Sequence, residues 1–255
     1  MYARVTQDYE AMARAGVEVV VEPAFWLGQP RKHAGSFLDY FDHLCGYEHS
    51  RAAKYGIKQF VSLAMNPKEA NDRALAAAVI KELPKYLERD VVVAVGEIGF
   101  DAMTPAEEEF MIQQIELAAQ FGLPLQIHSP HLAKFAGIKR ILEIVQQLKF
   151  PMAKTLVDHN LEETTPMTLK AGAWAGHTIY PLSKLSPERA ANILEQNGFE
   201  RMMIHSAADW GPSDPMTVPH TITELRERGV KEREIEKLVW DNPVAFFSQS
   251  KRLKL

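Results

Sequence analysis

Seven short apolar segments occur in the sequence, and six of them carry, at or near their ends, a side chain that can bind a metal ion or transfer a proton. These side chains are Glu22, Glu97, His128, Asp158, His159, His177, His205 and Asp209. A buried carboxylate costs several kcal/mol unless it is paired or coordinates a metal. Imidazole and carboxylate groups together suit a divalent cation such as zinc, which lowers the pKa of a bound water molecule to about 7. If the segment ends converge, they predict a metal-dependent site.

The apolar segments are typical of strands that are buried on both faces of a parallel sheet, because each is continuous rather than alternating and rich in Val, Ile and Leu. The seven predicted strands are 17–23, 57–64, 91–99, 123–129, 153–159, 172–180 and 201–209. Only the strand 57–64 ends without a potential ligand.

Helical patterns separate these strands. The segments 6–15, 68–88, 104–122 and 186–198 are predicted helices, and the third has Thr104 as its N-cap and Glu107 where a capping box requires an acid. Strands and helices in alternation predict right-handed βαβ units, which build either a doubly wound open sheet or a barrel. No glycine-rich turn of the Rossmann type follows an early strand, whereas polar residues follow most strands, as in barrel enzymes. We therefore predict an α/β fold, a TIM-type (β/α) barrel formed by one domain over residues 1–255.

The composition limits the classes of partner and the compartments that are expected for this protein. The chain has 255 residues, 24% of them charged, and a net charge of −4, which provides no basic surface for non-specific binding of nucleic acid. A single cysteine, Cys45, excludes a disulfide framework and fits a reducing compartment. No apolar run approaches the roughly 20 residues that a membrane span needs, and no signal peptide is expected. We expect a cytoplasmic protein with a small-molecule or phosphoester substrate; nucleic acid is less favoured, and a homo-oligomer is left open.

Four motifs occupy the predicted strand ends: "GEIGFD" (96–101), "PLQIHSPH" (124–131), "VDHN" (157–160) and "IHSAADWGPSDP" (204–215). In this order the sequence resembles the TatD-related metal-dependent hydrolases of the amidohydrolase superfamily, over nearly its whole length. Pro130 stands where TatD nucleases usually carry an arginine, and "HNLEET" (159–164) lacks their usual phenylalanine and glycine. The resemblance is therefore to a divergent branch, and the DNA exonuclease interpretation is weakened while the metal-hydrolase interpretation is kept.

The resemblance implies a barrel that holds one or two divalent ions, with zinc expected first and manganese or magnesium as alternatives. It implies that Glu97 bridges two ions and that His128 and His159 bind the second one. It also implies that Asp209 binds the first ion and takes a proton from the attacking water, with Asp214 as the alternative for this role.

Other side chains of the sequence could contact the substrate. His177 and Glu22 are predicted to do so, with a purely structural role as the alternative. Trp210 could form a pocket wall or simply pack as an aromatic. The segment 24–37 combines aromatic side chains with Arg31, Lys32 and His33. Such a loop would suit an anionic substrate, and an exposed loop of mixed charge is the competing interpretation.

In the family that the sequence resembles, a His-x-His motif at the end of the first strand supplies two further metal ligands. No His-x-His occurs in this sequence. The barrel is therefore expected to lack its first strand at the N-terminus. Two functional hypotheses follow. The chain is a metal-dependent hydrolase acting on a phosphoester, amide or lactone bond, or it is a truncated or degenerate barrel with at most one metal that serves as a binding or scaffold protein. A third interpretation is that the sequence starts too late.

The third interpretation can be tested on the gene. We expect the coding sequence immediately upstream of Met1 to encode a strand that ends in His-x-His within a few residues. Sequencing of the transcript start measures this, and an in-frame stop codon at that place would contradict it.

Overall fold

Seven parallel strands form one sheet in which the spatial order equals the order along the chain. The computed structural model describes residues 5–209 and 211–255. The strands are β1 (Val19–Pro23), β2 (Lys58–Leu63), β3 (Val92–Gly99), β4 (Leu125–His128), β5 (Thr155–Val157), β6 (Trp174–Thr178) and β7 (Met202–His205). Each pairs with the next, and within the described ranges no ladder joins β7 to β1. The sheet is a curled half-barrel, and the predicted α/β barrel fold is confirmed.

Helices surround the sheet and connect its strands. They are α1 (Thr6–Arg14), α2 (Ala34–His43), α3 (His49–Ala53), α4 (Arg73–Leu87), α5 (Pro105–Phe121), α6 (Lys134–Gln147), α7 (Thr165–Lys170), α8 (Pro187–Asn197), α9 (Thr217–Glu227), α10 (Glu232–Glu236) and α11 (Asn242–Phe247). One π-helical turn, Leu44–Glu48, joins α2 to α3, and another, Lys237–Asp241, joins α10 to α11. Within the described residues, no helix is both long and apolar enough to cross a membrane.

Burial follows position in the sheet. Strand β3 lies in the middle of the curled sheet, and seven of its eight residues are buried. Strand β1 has a neighbour only on the β2 side among the described residues, and four of its five residues remain half-buried. The apolar runs of the sequence therefore mark strands correctly, but β1 does not reach the burial on both faces that its run predicts, whereas three of the four residues of β7 do.

A cavity of about 730 Å³ extends along the open side of the half-barrel. Its walls include β1 and β7, and further apolar surface comes from Val244, Phe247 and Leu253. At its other end the cavity reaches Glu97, His128 and His159 at the carboxyl ends of the strands. The open side and the predicted metal site are thus parts of one space.

The loop that follows β3 is fixed by a carboxylate from the next helix. Thr104 caps α5 as predicted, with its hydroxyl accepting the Glu107 N–H at 3.2 Å. Glu107 itself is buried, and its Oε2 accepts hydrogen bonds from three consecutive backbone N–H groups, those of Asp101 (3.0 Å), Ala102 (3.0 Å) and Met103 (2.8 Å). In a capping box the acid bonds the N-cap residue, whereas here it reaches past Thr104 and orders the loop beside the strand that carries Glu97.

We expect Glu107→Gln to lower the free energy of unfolding by about 2–4 kcal/mol, because an amide cannot accept all these bonds and leaves buried N–H groups unsatisfied. Urea denaturation followed by circular dichroism measures the loss. Glu109→Gln is the matched control on the same helix: Glu109 is exposed and pairs with Arg73, so its loss should stay below about 0.5 kcal/mol. Equal losses in the two variants would contradict the anchoring role of Glu107.

Candidate metal centre

Three side chains from adjacent strand ends bring their ligand atoms together. Glu97 lies on β3, His128 ends β4, and His159 follows β5. Nδ1 of His128 is 2.8 Å from Nε2 of His159, and each of these nitrogens is 3.7 Å from a carboxylate oxygen of Glu97. Register explains the meeting, because Gly99 is paired with His128 and Ile127 with Val157. Parallel strands that stay in step bring their carboxyl ends to one rim.

The spacing of these atoms fits a small divalent cation. Zinc bonds of 2.0–2.1 Å in a tetrahedral arrangement separate neighbouring ligand atoms by about 3.3 Å, and the three distances found here lie on either side of this value. Two imidazole nitrogens that face each other also need a proton or a cation between them, since each would otherwise present a lone pair to the other. Glu97, His128 and His159 are thus a donor set that could hold a metal ion.

The turn after β5 aims the His159 ring into this cluster. His159 has a φ of +61°, in the left-handed region that residues other than glycine rarely adopt. The next residue stabilises the turn: Asn160 donates its N–H to Gly176 O (2.9 Å) and its side-chain amide to Val157 O (2.8 Å). His159 Nδ1 lies 2.7 Å from the hydroxyl of Thr178, which fixes the ring with Nε2 towards the cluster.

Asp158, His205 and Gln126 form a second polar group beside the cluster. Asp158 and His205 are among the predicted strand-end groups, whereas Gln126 is not. Gln126 donates to Asp158 Oδ2 at 2.8 Å, while Asp158 Oδ1 is buried without a hydrogen bond and lies 3.3 Å from His205 Nδ1. Gly176 makes room for them, because a Cβ there would stand 2.2 Å from Asp158 Oδ1. Their positions at strand ends were the available signal, since Asp158 and His205 both stand at such ends.

The two carboxyl groups of the centre have opposite pKa shifts. Burial acts to raise the pKa of Glu97, but the hydrogen bond and charge of His128 and the charge of Lys184 outweigh it and hold this pKa below its usual range. Burial and the charge of Glu97 raise the pKa of Asp158 well above its usual range. Two neighbouring, largely buried carboxyls do not both ionise easily, so their pKa values are pushed apart, with that of Glu97 lowered and that of Asp158 raised.

Two histidines of the centre, His159 and His205, have lowered pKa values. Burial, with the charges of Lys184 and His128, lowers the pKa of His159 well below its usual range. Burial lowers the pKa of His205 to about 4 against the attraction of Glu97. The neutral ring is the form that binds a metal ion, so the site is prepared for a cation at neutral pH.

Asp209, predicted as a ligand and proton acceptor, lines the same cavity but stands apart from the three clustered ligand atoms. Its Oδ1 accepts hydrogen bonds from the Tyr180 hydroxyl and the Gly211 N–H, both at 2.9 Å. Asp214, the alternative, accepts from the Met216 N–H at 2.8 Å and lies 3.3 Å from His220 Nδ1. Of the two, Asp209 is the one that faces the cavity.

The predicted substrate contacts differ in their surroundings. Glu22 is buried, accepts a hydrogen bond from Gln59 at 2.6 Å and lines the cavity. His177 is buried with Nε2 2.9 Å from the Thr165 hydroxyl and Nδ1 3.1 Å from Met203 O. Both of its nitrogens thus have protein partners, which favours the structural alternative for His177.

The segment 24–37 and Trp210 are the remaining candidates for substrate contact. Arg31 is buried, forms a salt bridge with Glu69 and lies over the ring of Phe37, 3.4 Å from the ring centroid. Its charge is therefore neutralised by Glu69, which follows β2, and the anionic-substrate interpretation of the segment 24–37 gains no support from Arg31. Trp210 lies outside the described residues.

Known proteins resemble this chain in sequence and in fold. The family model of TatD related DNase matches residues 6–248. An uncharacterized metal-dependent hydrolase of Methanocaldococcus jannaschii is 28% identical over 246 residues, covering 96% of this chain and 95% of that protein. A TatD-like protein from Archaeoglobus fulgidus superposes with a TM-score of 0.79 at 25% identity, covering 96% of both chains. A phosphotriesterase homology protein from Escherichia coli, with phosphate in its active site, shares the fold (TM-score 0.71, 18% identity, 97% and 90% covered).

The burial of His177 predicts that the free energy of unfolding falls in acid. Burial lowers its pKa to about 4, below the roughly 6.5 of an unfolded histidine, so the unfolded chain binds the proton first. This contribution to stability is complete above about pH 6.5 and is lost as the pH falls towards 4, by roughly 3 kcal/mol in total. In chelator-treated protein, we expect His177→Gln to lose clearly less unfolding free energy between pH 7 and pH 4.5 than the wild type.

Urea denaturation at both pH values measures the difference. His220→Gln, at a half-exposed ring, is the control and should lose as much stability as the wild type. An unchanged pH dependence in His177→Gln would show that another group causes the acid sensitivity.

Proposed function

The chain belongs to the TatD related DNase family, and from this premise we propose that it is a metal-dependent hydrolase whose active site lies at the carboxyl ends of the strands. The observation that carries the proposal is the meeting of Glu97, His128 and His159, whose facing ligand atoms lie between 2.8 and 3.7 Å apart. The bond that is cleaved is a phosphoester, an amide or a lactone, in the reducing environment of the cytoplasm that the single cysteine suggests.

In this proposal Glu97, His128 and His159 hold one divalent ion, with zinc favoured because two imidazoles and a carboxylate suit it, and with manganese or magnesium as alternatives. When bound, the ion activates water and polarises the scissile bond. Thr178 keeps the His159 ring in the tautomer and orientation that present Nε2 to the ion. A second ion would be shared by Glu97 and Asp209.

Asp209 accepts the proton of the attacking water. Its hydrogen bonds with Tyr180 and Gly211 both use Oδ1, and within the described residues none uses Oδ2. The carboxylate is therefore held at one oxygen while the other can take a proton, which is the arrangement that a general base needs. Glu22 contacts the substrate from the cavity wall, and His177 stabilises the wall from behind.

A non-catalytic scaffold is the second candidate, and one observation favours it. Only three ligand side chains come together among the described residues, with Asp209 at a distance, so the cluster could bind an ion tightly without activating a substrate. Metal content and turnover, measured on the same preparation, separate the two candidates.

We expect the purified protein to bind zinc or manganese and to hydrolyse bis(p-nitrophenyl) phosphate, the amide p-nitroacetanilide or a simple lactone. Glu97→Gln and His128→Ala should each lower metal affinity by at least about tenfold, because each removes a ligand. Asp209→Asn should keep the ion of the Glu97 cluster and lower kcat by about 10²- to 10⁴-fold, because proton transfer is lost together with one ligand of a second ion.

Elemental analysis after dialysis gives the metal content, and initial rates give kcat. Asp214→Asn is the matched control and should retain the kcat of the wild type. A wild-type protein that holds no metal would refute the hydrolase proposal, and full activity in Asp209→Asn would refute only the assignment of the base.

A further inference from the structure

A lysine that the proposed mechanism does not use extends into the centre. Lys184 follows β6, and its half-buried side chain lines the cavity that contains the metal cluster. Its Nζ lies 3.2 Å from Nδ1 and 3.3 Å from Nε2 of His159, the ring that is proposed to bind the ion. An ammonium group is thus held at the place where the substrate must approach.

The backbone around Lys184 is fixed. Tyr180 donates its N–H to Leu185 O at 3.0 Å, and Leu185 donates its own to Thr178 O at 3.3 Å, which closes the turn at its base. Arg189 donates to the carbonyl of Lys184 at 3.1 Å. The direction of the Lys184 side chain is therefore set by a closed turn rather than by a free loop, and its place in the cavity is a built feature.

Lys184 has no carboxylate oxygen within 4.0 Å of Nζ among residues 5–209 and 211–255. Burial lowers the pKa of Lys184, and the charges of Glu97, Asp158 and Asp209 act against this effect from further away. The His159 nitrogens are weak partners, since they already face Thr178 and His128. Lys68, another cation in the cavity wall, differs: it pairs with Asp101 at 3.1 Å and lies over the Trp26 ring. Among the described residues of this wall, Lys184 is the cation that lacks a close counter-charge.

An ion in the Glu97 cluster would place a second positive charge next to this ammonium group. Two cations so close together repel each other, and an anionic oxygen between them would attract both. We propose that Lys184 holds an anionic oxygen of the substrate beside the metal cluster, so that the preferred substrates carry a phosphate or carboxylate oxyanion at the reacting end. This inference rests on the proposed function and specifies its substrate class.

The test is calorimetric titration of the zinc-loaded protein with inorganic phosphate and, separately, with acetate. We expect Lys184→Met to weaken the binding of at least one of these anions by about tenfold or more, because it removes a charge-assisted hydrogen bond, while the zinc content stays that of the wild type. Lys184→Arg keeps the charge and should restore binding to within a few-fold. Lys68→Met is the matched control from the same cavity and should change binding by less than about threefold, since its charge is already paired.

The outcomes are distinct. Loss of phosphate binding alone identifies a phosphoester substrate, and loss of acetate binding alone identifies a carboxylate substrate. If Lys184→Met binds both anions as the wild type does, if the wild type binds neither, or if the variant loses its zinc, the inference is overturned. If the wild type binds zinc and hydrolyses a substrate, and Lys184→Met binds both anions as tightly as the wild type, only this inference is refuted. If the wild type binds no zinc, the proposed function is refuted.

Discussion

The site depends on the charged carboxylate of Glu97, which is held in a place where burial opposes its charge. Imidazoles on the neighbouring strand ends offset that cost, and a cation between them would offset it further. The parallel register brings these groups together, because His128 is paired with Gly99 and so lies near Glu97. The raised pKa of Asp158, the lowered pKa values of His159 and His205 and the inward turn at His159 all accommodate this one charge.

A polar connection links this charge to the interior of the half-barrel. The Ser62 hydroxyl donates to Gln126 at 2.7 Å, and Gln126 donates to Asp158 at 2.8 Å, so that β2, β4 and the end of β5 are joined by side chains as well as by the sheet. A buried network of this kind fixes the relative position of the strands because each member would be costly to leave unpaired. The geometry of the metal cluster therefore depends on residues that are not its ligands.

Much of this could be predicted from the sequence, for reasons of periodicity. Continuous apolar runs predict parallel strands, Thr104 predicts the start of α5, and strand ends with Glu97, His128 and His159 predict side chains at a common rim. What escaped prediction depends on tertiary partners. The distance of Asp209 from the cluster follows from its bonds with Tyr180 and Gly211, which are set by two separate loops. The direction of the His177 ring follows from the face of β6 on which it stands, and a shift of one residue would reverse that face.

The loop after β3 has a consequence for the route of the substrate. Its three successive N–H groups, from Asp101 to Met103, form a concave nest of the kind that binds phosphate in other proteins, but here the occupant is Glu107 of the same chain. A tethered carboxylate competes at a high effective concentration against any free anion. The rim of the half-barrel thus has two sides. On one side, after β3, the N–H groups already bind the carboxylate of Glu107. On the other side, in the turn after β6, Lys184 has no close carboxylate partner among the described residues. An anionic substrate would be drawn to the second side.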